Sequence, residues 1–175
     1  MEAQRLTEEQ LDAYRPLRIW KSMDADRRRA AAEAFWKSDL VKDLDKAATI
    51  EVLAAAMHFR PQSIRTAPHA KKAGYLAGCN ALNDHATGTL LYVYHFERQV
   101  PLMERFLDAL TITHEGGRIE EENIAPQAEE ALRGAVEGLL GEFGKEDVHL
   151  YLRTLVSQDE ITWGALVPIL ESWES

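Results

Sequence analysis

The sequence predicts an all-α fold, a compact multi-helix bundle of about seven to nine helices, and three observations carry that prediction. Apolar residues recur at helical spacing while period-two alternation is nearly absent. Helix-start signals stand before the periodic runs, and short breaks carrying Pro or Gly separate them. With 46% hydrophobic and 28% charged residues, the composition is that of a globular chain and excludes a disordered or collagen-like one. Its 175 residues suit a single helical domain, 1–175.

Thr7-Glu8-Glu9-Gln10 has the form of a capping box, so a short helix over 7–14 is expected, packing peripherally and ending before Pro16. Asp24 caps a second helix through Trp36, with Ala31, Ala34 and Phe35 opposite Arg27, Arg28 and Arg29. A third runs from about Leu44 to Phe59, its apolar spacing carried by Ala48, Val52, Ala55 and Phe59, and Arg60-Pro61 ends it. Residues 62–67 read as a loop. A fourth helix, about Pro68 to Leu82, spaces Ala70, Gly74 and Gly78 four apart, a small-residue stripe that suits a central packed position.

The densest apolar stretch follows, as helix from Asp84 to about Arg98, a break at Pro101, and helix again through Leu110. Thr111 to Ile119, with Gly116-Gly117, reads as a turn holding a short extended piece. Three further helices are expected at about Pro126–Glu142, Lys145–Ser157 and Thr162–Trp173. Short connections make sequential neighbours antiparallel.

Charge is divided by position. From Arg15 to Lys72 there are 13 Lys/Arg and 7 Asp/Glu, a formal +6, whereas Ala73 to Ser175 carries 6 and 18, a formal −12. Such a split bears on partners, and the overall −9 makes nucleic acid an unlikely one. The lone Cys79 has no partner for an internal disulfide and reads as a small buried hydrophobe. The opening residues lack the apolar core of a leader peptide, and no apolar run approaches the roughly 20 residues of a membrane span. A cytoplasmic protein without a membrane partner is the expectation.

Candidate chemistry is sparse. His95 interrupts the apolar run Leu91 to Phe96, so a partly buried imidazole is expected there. With Tyr92, Arg98, His114 and Glu115 it defines a candidate pocket for a base, a ligand or a pH-sensitive group, weighed against a core histidine satisfied by its neighbours. His114-Glu115 beside two glycines offers half of a metal or acid–base site, or else a solvated turn. Glu146-Asp147-Val148-His149 matches half of a di-metal carboxylate site but lacks its second copy, and the acids equally suit the first turn of a helix. Arg60, Arg65, Lys71 and Lys72 form a candidate anion-binding cluster at a helix start, against the alternative of a solvated face; a small anionic ligand would fit there. No phosphate loop, nucleophile elbow or His-Glu-x-x-His pair is present, and no catalytic residue, metal or cofactor is assigned.

Several runs, Arg60-Pro61-Gln62-Ser63, Tyr75-Leu76-Ala77, Tyr94-His95, Phe106 to Leu110, His114-Glu115-Gly116-Gly117, Tyr151-Leu152 and Trp163-Gly164, together resemble a group of small, all-helical bacterial proteins of unknown function. The resemblance spans most of the chain. It implies a bacterial, cytoplasmic origin and carries over no catalytic residue. The function expected from sequence is a non-enzymatic helical interaction or scaffold protein that associates with a protein partner or with itself. The alternative is a small-ligand or metal-binding protein, possibly an enzyme, with its pocket near His95.

Overall fold

The computed structural model describes residues 5–174 and is all-helical apart from one two-stranded hairpin. Met1 to Gln4, read above as unlike a leader, lie outside the described residues. Twelve helices are present among those described, more than the seven to nine expected. The three extra are short. Prolines that ended helices in the sequence reading also begin the next ones: Pro16 opens α2 (Pro16–Ser22), and Pro61 opens α5 (Pro61–Arg65) where a loop was expected. The third, α11 (Glu160–Trp163), is capped by Asp159 and separated by Gly164 from α12 (Leu166–Glu174).

Where the sequence predicts one domain, the chain forms two compact units. The inserted unit is Pro16–Arg98, and the terminal unit joins Met1–Arg15 to Gln99–Ser175. The two units also differ in charge, though less sharply than the two sides of Lys72 in the chain. The inserted unit holds 13 Lys/Arg and 9 Asp/Glu, net +4, and the terminal unit 7 and 20, net −13.

In the inserted unit, α3 (Ala25–Lys37) packs against α6 (His69–Ala77) and α7 (Asp84–Arg98), while α2 packs on α7 and α4 (Asp43–Met57) on α5. Asp24 caps α3 as expected, accepting from the Arg27 amide at 2.8 Å. These bonds, backbone first and then the Arg27 side chain, hold its carboxyl below the usual range. Asp84 serves α2 from a distance: its Oδ1 accepts from the Leu17 amide at 3.1 Å. Trp20, Phe35, Leu53, Ile64, Leu76 and Leu90 fill the core.

The small-residue stripe on α6 is not centrally packed. Ala70 and Gly78 are exposed, Gly74 lies beside the Arg29 guanidinium, and α6 seats on α3 through Ala73 and Leu76 instead. Cys79, just past α6, is half-buried rather than buried, because the helix has already ended at Gly78.

The terminal unit comprises α1 (Glu8–Ala13), α8 (Val100–Ala109), a hairpin, α9 (Glu129–Glu142), α10 (Lys145–Gln158), α11 and α12. Both halves of the capping box form at Thr7, at 3.0 and 3.1 Å, and no residue of α1 itself is buried. Phe106 sits edge-on to Tyr151 and beside Trp163, and Leu102, Leu132 and Leu166 are also fully buried in this unit. The hairpin pairs His114 with Ile119 and Glu115 with Arg118. Gly116 and Gly117 both have positive φ, +59° and +89°, the backbone that a tight two-residue turn demands.

Candidate functional site

The α4 helix is apolar on more than one side. Thr49, Ile50, Leu53 and Ala54 form its buried face. The stripe expected to pack, Ala48, Val52, Ala55 and Phe59, instead divides: Ala48 and Ala55 are exposed, Val52 is half-buried, and Phe59 lies past the helix end at Met57 with its partly exposed ring edge-on to Tyr75. Leu44 extends the stripe by a turn and is 79% exposed, and Ala47 and Ala56 are exposed on its flanks. Periodicity identified an apolar stripe but not which of two stripes meets the core.

Beside Val52 the outer face descends into a cleft of about 60 Å³, lined by Phe35, Ala48, Val52 and Leu82 with Asp45 and His85 among its polar groups. The Nε2–H of His85 donates to Asp45 Oδ1 at 3.0 Å, and the imidazole is 75% exposed. Thr49 and Thr89 also line the cleft, but each hydroxyl donates to a carbonyl one helical turn earlier, of Asp45 and His85 respectively, leaving only lone pairs. Asn83 Oδ1 accepts from the Ala86 amide at 2.8 Å and so caps the start of α7. The cleft is thus apolar at its walls and rich in acceptors. It holds less than half the roughly 150 Å³ of a cavity that takes benzene, which suits a single side chain better than a cofactor.

The residues singled out by sequence fall elsewhere. His95 is 2% exposed, and its Nδ1–H donates to the Leu91 carbonyl at 2.8 Å, a bond within its own helix. Its ring also stands edge-on to Tyr94. Tyr92 leans on Phe96 with ring centres 4.5 Å apart, and Arg98 reaches Glu33 at 3.6 Å. His114 and Glu115 belong to the terminal unit, where β-strand alternation turns them to opposite sides. His114 Nε2–H donates to Asp108 at 2.7 Å while its Nδ1 accepts the Gly117 amide at 3.2 Å. Both ring nitrogens therefore serve the hairpin, and Glu115 is exposed.

In the anion cluster, Arg65 donates to Gln62 on its own helix at 2.8 Å, and Lys72 lies over the Trp36 ring at 5.1 Å. Arg60 and Lys71 are exposed. The four residues are thus distributed over α5, its N-cap and α6.

His149 packs against Trp173 in the terminal unit, and Glu174 lies 4.0 Å away. Burial, then the nearby Arg153 and Lys145 charges, lower its pKa to about 4, so the ring is neutral at pH 7. Glu146 and Asp147 occupy the first turn of α10, and no cluster of three metal-ligating side chains is found among the described residues. On the same side of that unit Tyr14 is buried. Desolvation, and then Glu174 and Glu171, push its hydroxyl up to about 12, while Arg153 opposes them.

Asp45, His85 and Leu44 were missed by sequence reasoning. The pairing of Asp45 with His85 spans forty positions and leaves no local trace. The exposed stripe did leave one, since α4 carries apolar residues around nearly its whole circumference.

Compared with known proteins, the chain matches no family model, no curated protein and no solved structure.

Proposed function

We propose that this chain is a non-enzymatic helical interaction protein that engages a protein partner through the outer face of α4. The observation that supports this reading is the group of exposed apolar residues Leu44, Ala48 and Ala55 on α4, beside a side-chain-sized cleft. A solvated helix normally turns charge outward, and apolar residues gathered on an exposed helix face are the mark of a docking site. The reading places the protein in the cytoplasm of a bacterium, in keeping with its single cysteine and the resemblance noted above. No helix among the described residues is long and apolar enough to cross a membrane.

Two measurements test it. In the isolated chain, Leu44→Ser changes stability by no more than about 0.5 kcal/mol, whereas Leu53→Ala on the buried face costs about 2–5 kcal/mol. A photo-crosslinker at Ala48, in the protein expressed in its native host, forms an adduct that a control at the exposed Glu137 does not. Failure to form that adduct would remove the proposal.

A further inference from the structure

Two helices line the cleft with acceptors. Asp45 and Thr49 stand one turn apart on α4, and His85 and Thr89 one turn apart on α7, all four bordering the same space. Their donor hydrogens are already committed. The Nε2–H of His85 goes to Asp45 Oδ1, and the two hydroxyls go to carbonyls of their own helices at 2.8 and 3.0 Å. What these side chains leave for an occupant is a carboxylate, 26% exposed, and hydroxyl lone pairs. Asn83 brings an amide donor as well, but that residue is exposed. Phe35, Val52 and Leu82 supply apolar wall. We infer that the cleft seats a lysine side chain of the protein partner, its alkyl stem on those walls and its ammonium among Asp45, Thr49 and Thr89; this rests on the reading of α4 as a docking surface.

Complementarity selects this occupant. An ammonium has three donors and no acceptor, the converse of the groups lining the cleft. A carboxylate would be repelled by Asp45, and a plain alkyl group would strip water from that carboxylate without replacing the lost hydrogen bonds. The flat fork of an arginine suits paired coplanar acceptors, whereas acceptors drawn from two helices suit the compact ammonium. Helix starts favour anions, but those of α4 and α7 already carry acids, Asp43 and Asp45 on one and Asp84 on the other. Of the nearby cations, Lys46 is turned to the Ser38 carbonyl at 3.1 Å and Lys42 is exposed. The inserted unit's net +4 opposes a cationic partner. Charges more than about 10 Å away are largely screened at 0.1 M salt, so the adjacent carboxylate outweighs them. A free amine would leave Leu44, Ala48 and Ala55 uncovered, and a lysine carried on a protein surface covers them in the same contact.

The probe is n-butylammonium, which reproduces the end of a lysine side chain, titrated into the full chain and followed by backbone amide NMR at constant ionic strength. Saturable shifts are expected at 45–52 and 82–89, with a Kd on the order of millimolar. Butyrate and n-butanol bind at least about tenfold more weakly. Asp45→Asn, close in shape to the wild type, weakens butylammonium binding about tenfold, and Thr89→Val weakens it about threefold. The amide spectrum of each variant away from the cleft reports that its fold is kept. In the native host, Asp45→Asn lowers the yield of the Ala48 photo-adduct at least about fivefold.

Butanol or butyrate binding as tightly as butylammonium overturns the inference. So does butylammonium binding that neither Asp45→Asn nor Thr89→Val weakens. If butylammonium binds but the adduct is absent or indifferent to Asp45→Asn, the cleft serves a free amine and the partner's lysine is rejected. If the adduct forms and butylammonium does not bind, the docking surface stands and the lysine is rejected. Absence of both rejects the two together.

Discussion

The two units are made of similar helices, yet they dispose their polar chemistry differently. In the terminal unit His114 is held at both ring nitrogens, by Asp108 and the Gly117 amide, and His149 is kept neutral against Trp173. In the inserted unit His85 stands in solvent beside Asp45 at the cleft, and an apolar helix face is left uncovered. The charges differ in sign as well, −13 against +4. The contrast teaches that an imidazole's role follows from what its nitrogens meet. His95 makes the same point, being the most buried histidine the sequence singled out and yet tied to its own helix at Leu91.

The sharpest way to break this comparison is at the hairpin turn. A Cβ on Gly117 would lie 2.8 Å from Met103 Cε and 2.9 Å from its Cβ, at a φ of +89°, whereas one on Gly116 meets open space. Met103 is buried, and its Cβ cannot swing away. Gly117→Ala is therefore expected to cost about 3 kcal/mol, and Gly116→Ala about 1 kcal/mol, in chemical denaturation. Equal effects would show that the hairpin is not anchored on α8.

A smaller effect concerns His149. Its folded pKa, about 4, lies below the ordinary 6.5, so below pH 6.5 the unfolded chain takes up a proton that the folded chain refuses. This residue's contribution is therefore full above pH 6.5 and is lost as pH falls toward 4. The loss is on the order of 2 kcal/mol, and His149→Gln flattens that part of the stability profile. A profile of unchanged slope in the variant would mean that the ring is not held neutral. His85→Gln, in the inserted unit, leaves the terminal unit's pH dependence unaltered.

The smallest expected effects lie at two helix ends, one in each unit. Thr111 and His58 both adopt φ of +58°, and each precedes an amide that bonds back to the helix, Ile112 to Leu107 at 3.0 Å and Phe59 to Ala54 at 2.9 Å. Glycine is the residue that such a helix end favours. Thr111→Gly is expected to stabilise by about 1 kcal/mol and His58→Gly by somewhat less, since the β-branched threonine is the more strained of the two. Thermal denaturation of both variants orders them, and a loss of stability in either would mean that its side chain contributes more than its backbone costs.

Much of the helical scaffold was legible in the chain. The capping box at Thr7, the cap at Asp24, the breaks near Pro16 and Pro61 and the turn at Gly116-Gly117 are governed by groups within a few residues of one another, and all appear where the local chemistry puts them. Short helices escaped because a proline that stops one helix is also suited to begin another. The candidate site was less legible. His95 stood out for interrupting an apolar run, but the structure ties its Nδ1 to a helical carbonyl one turn back.

The boundary between local and tertiary information runs through α4 itself. Its residues determine that a helix forms and that two of its faces are apolar, because helical period and propensity are properties of neighbouring positions. Which face is buried depends on surfaces brought up from elsewhere in the chain. Only the packed inserted unit turns Ile50 and Leu53 inward, leaves Leu44 and Ala48 outside, and sets Asp45 beside a histidine forty residues away. Two stripes of similar hydrophobicity have similar burial energies, and the partner surface decides between them.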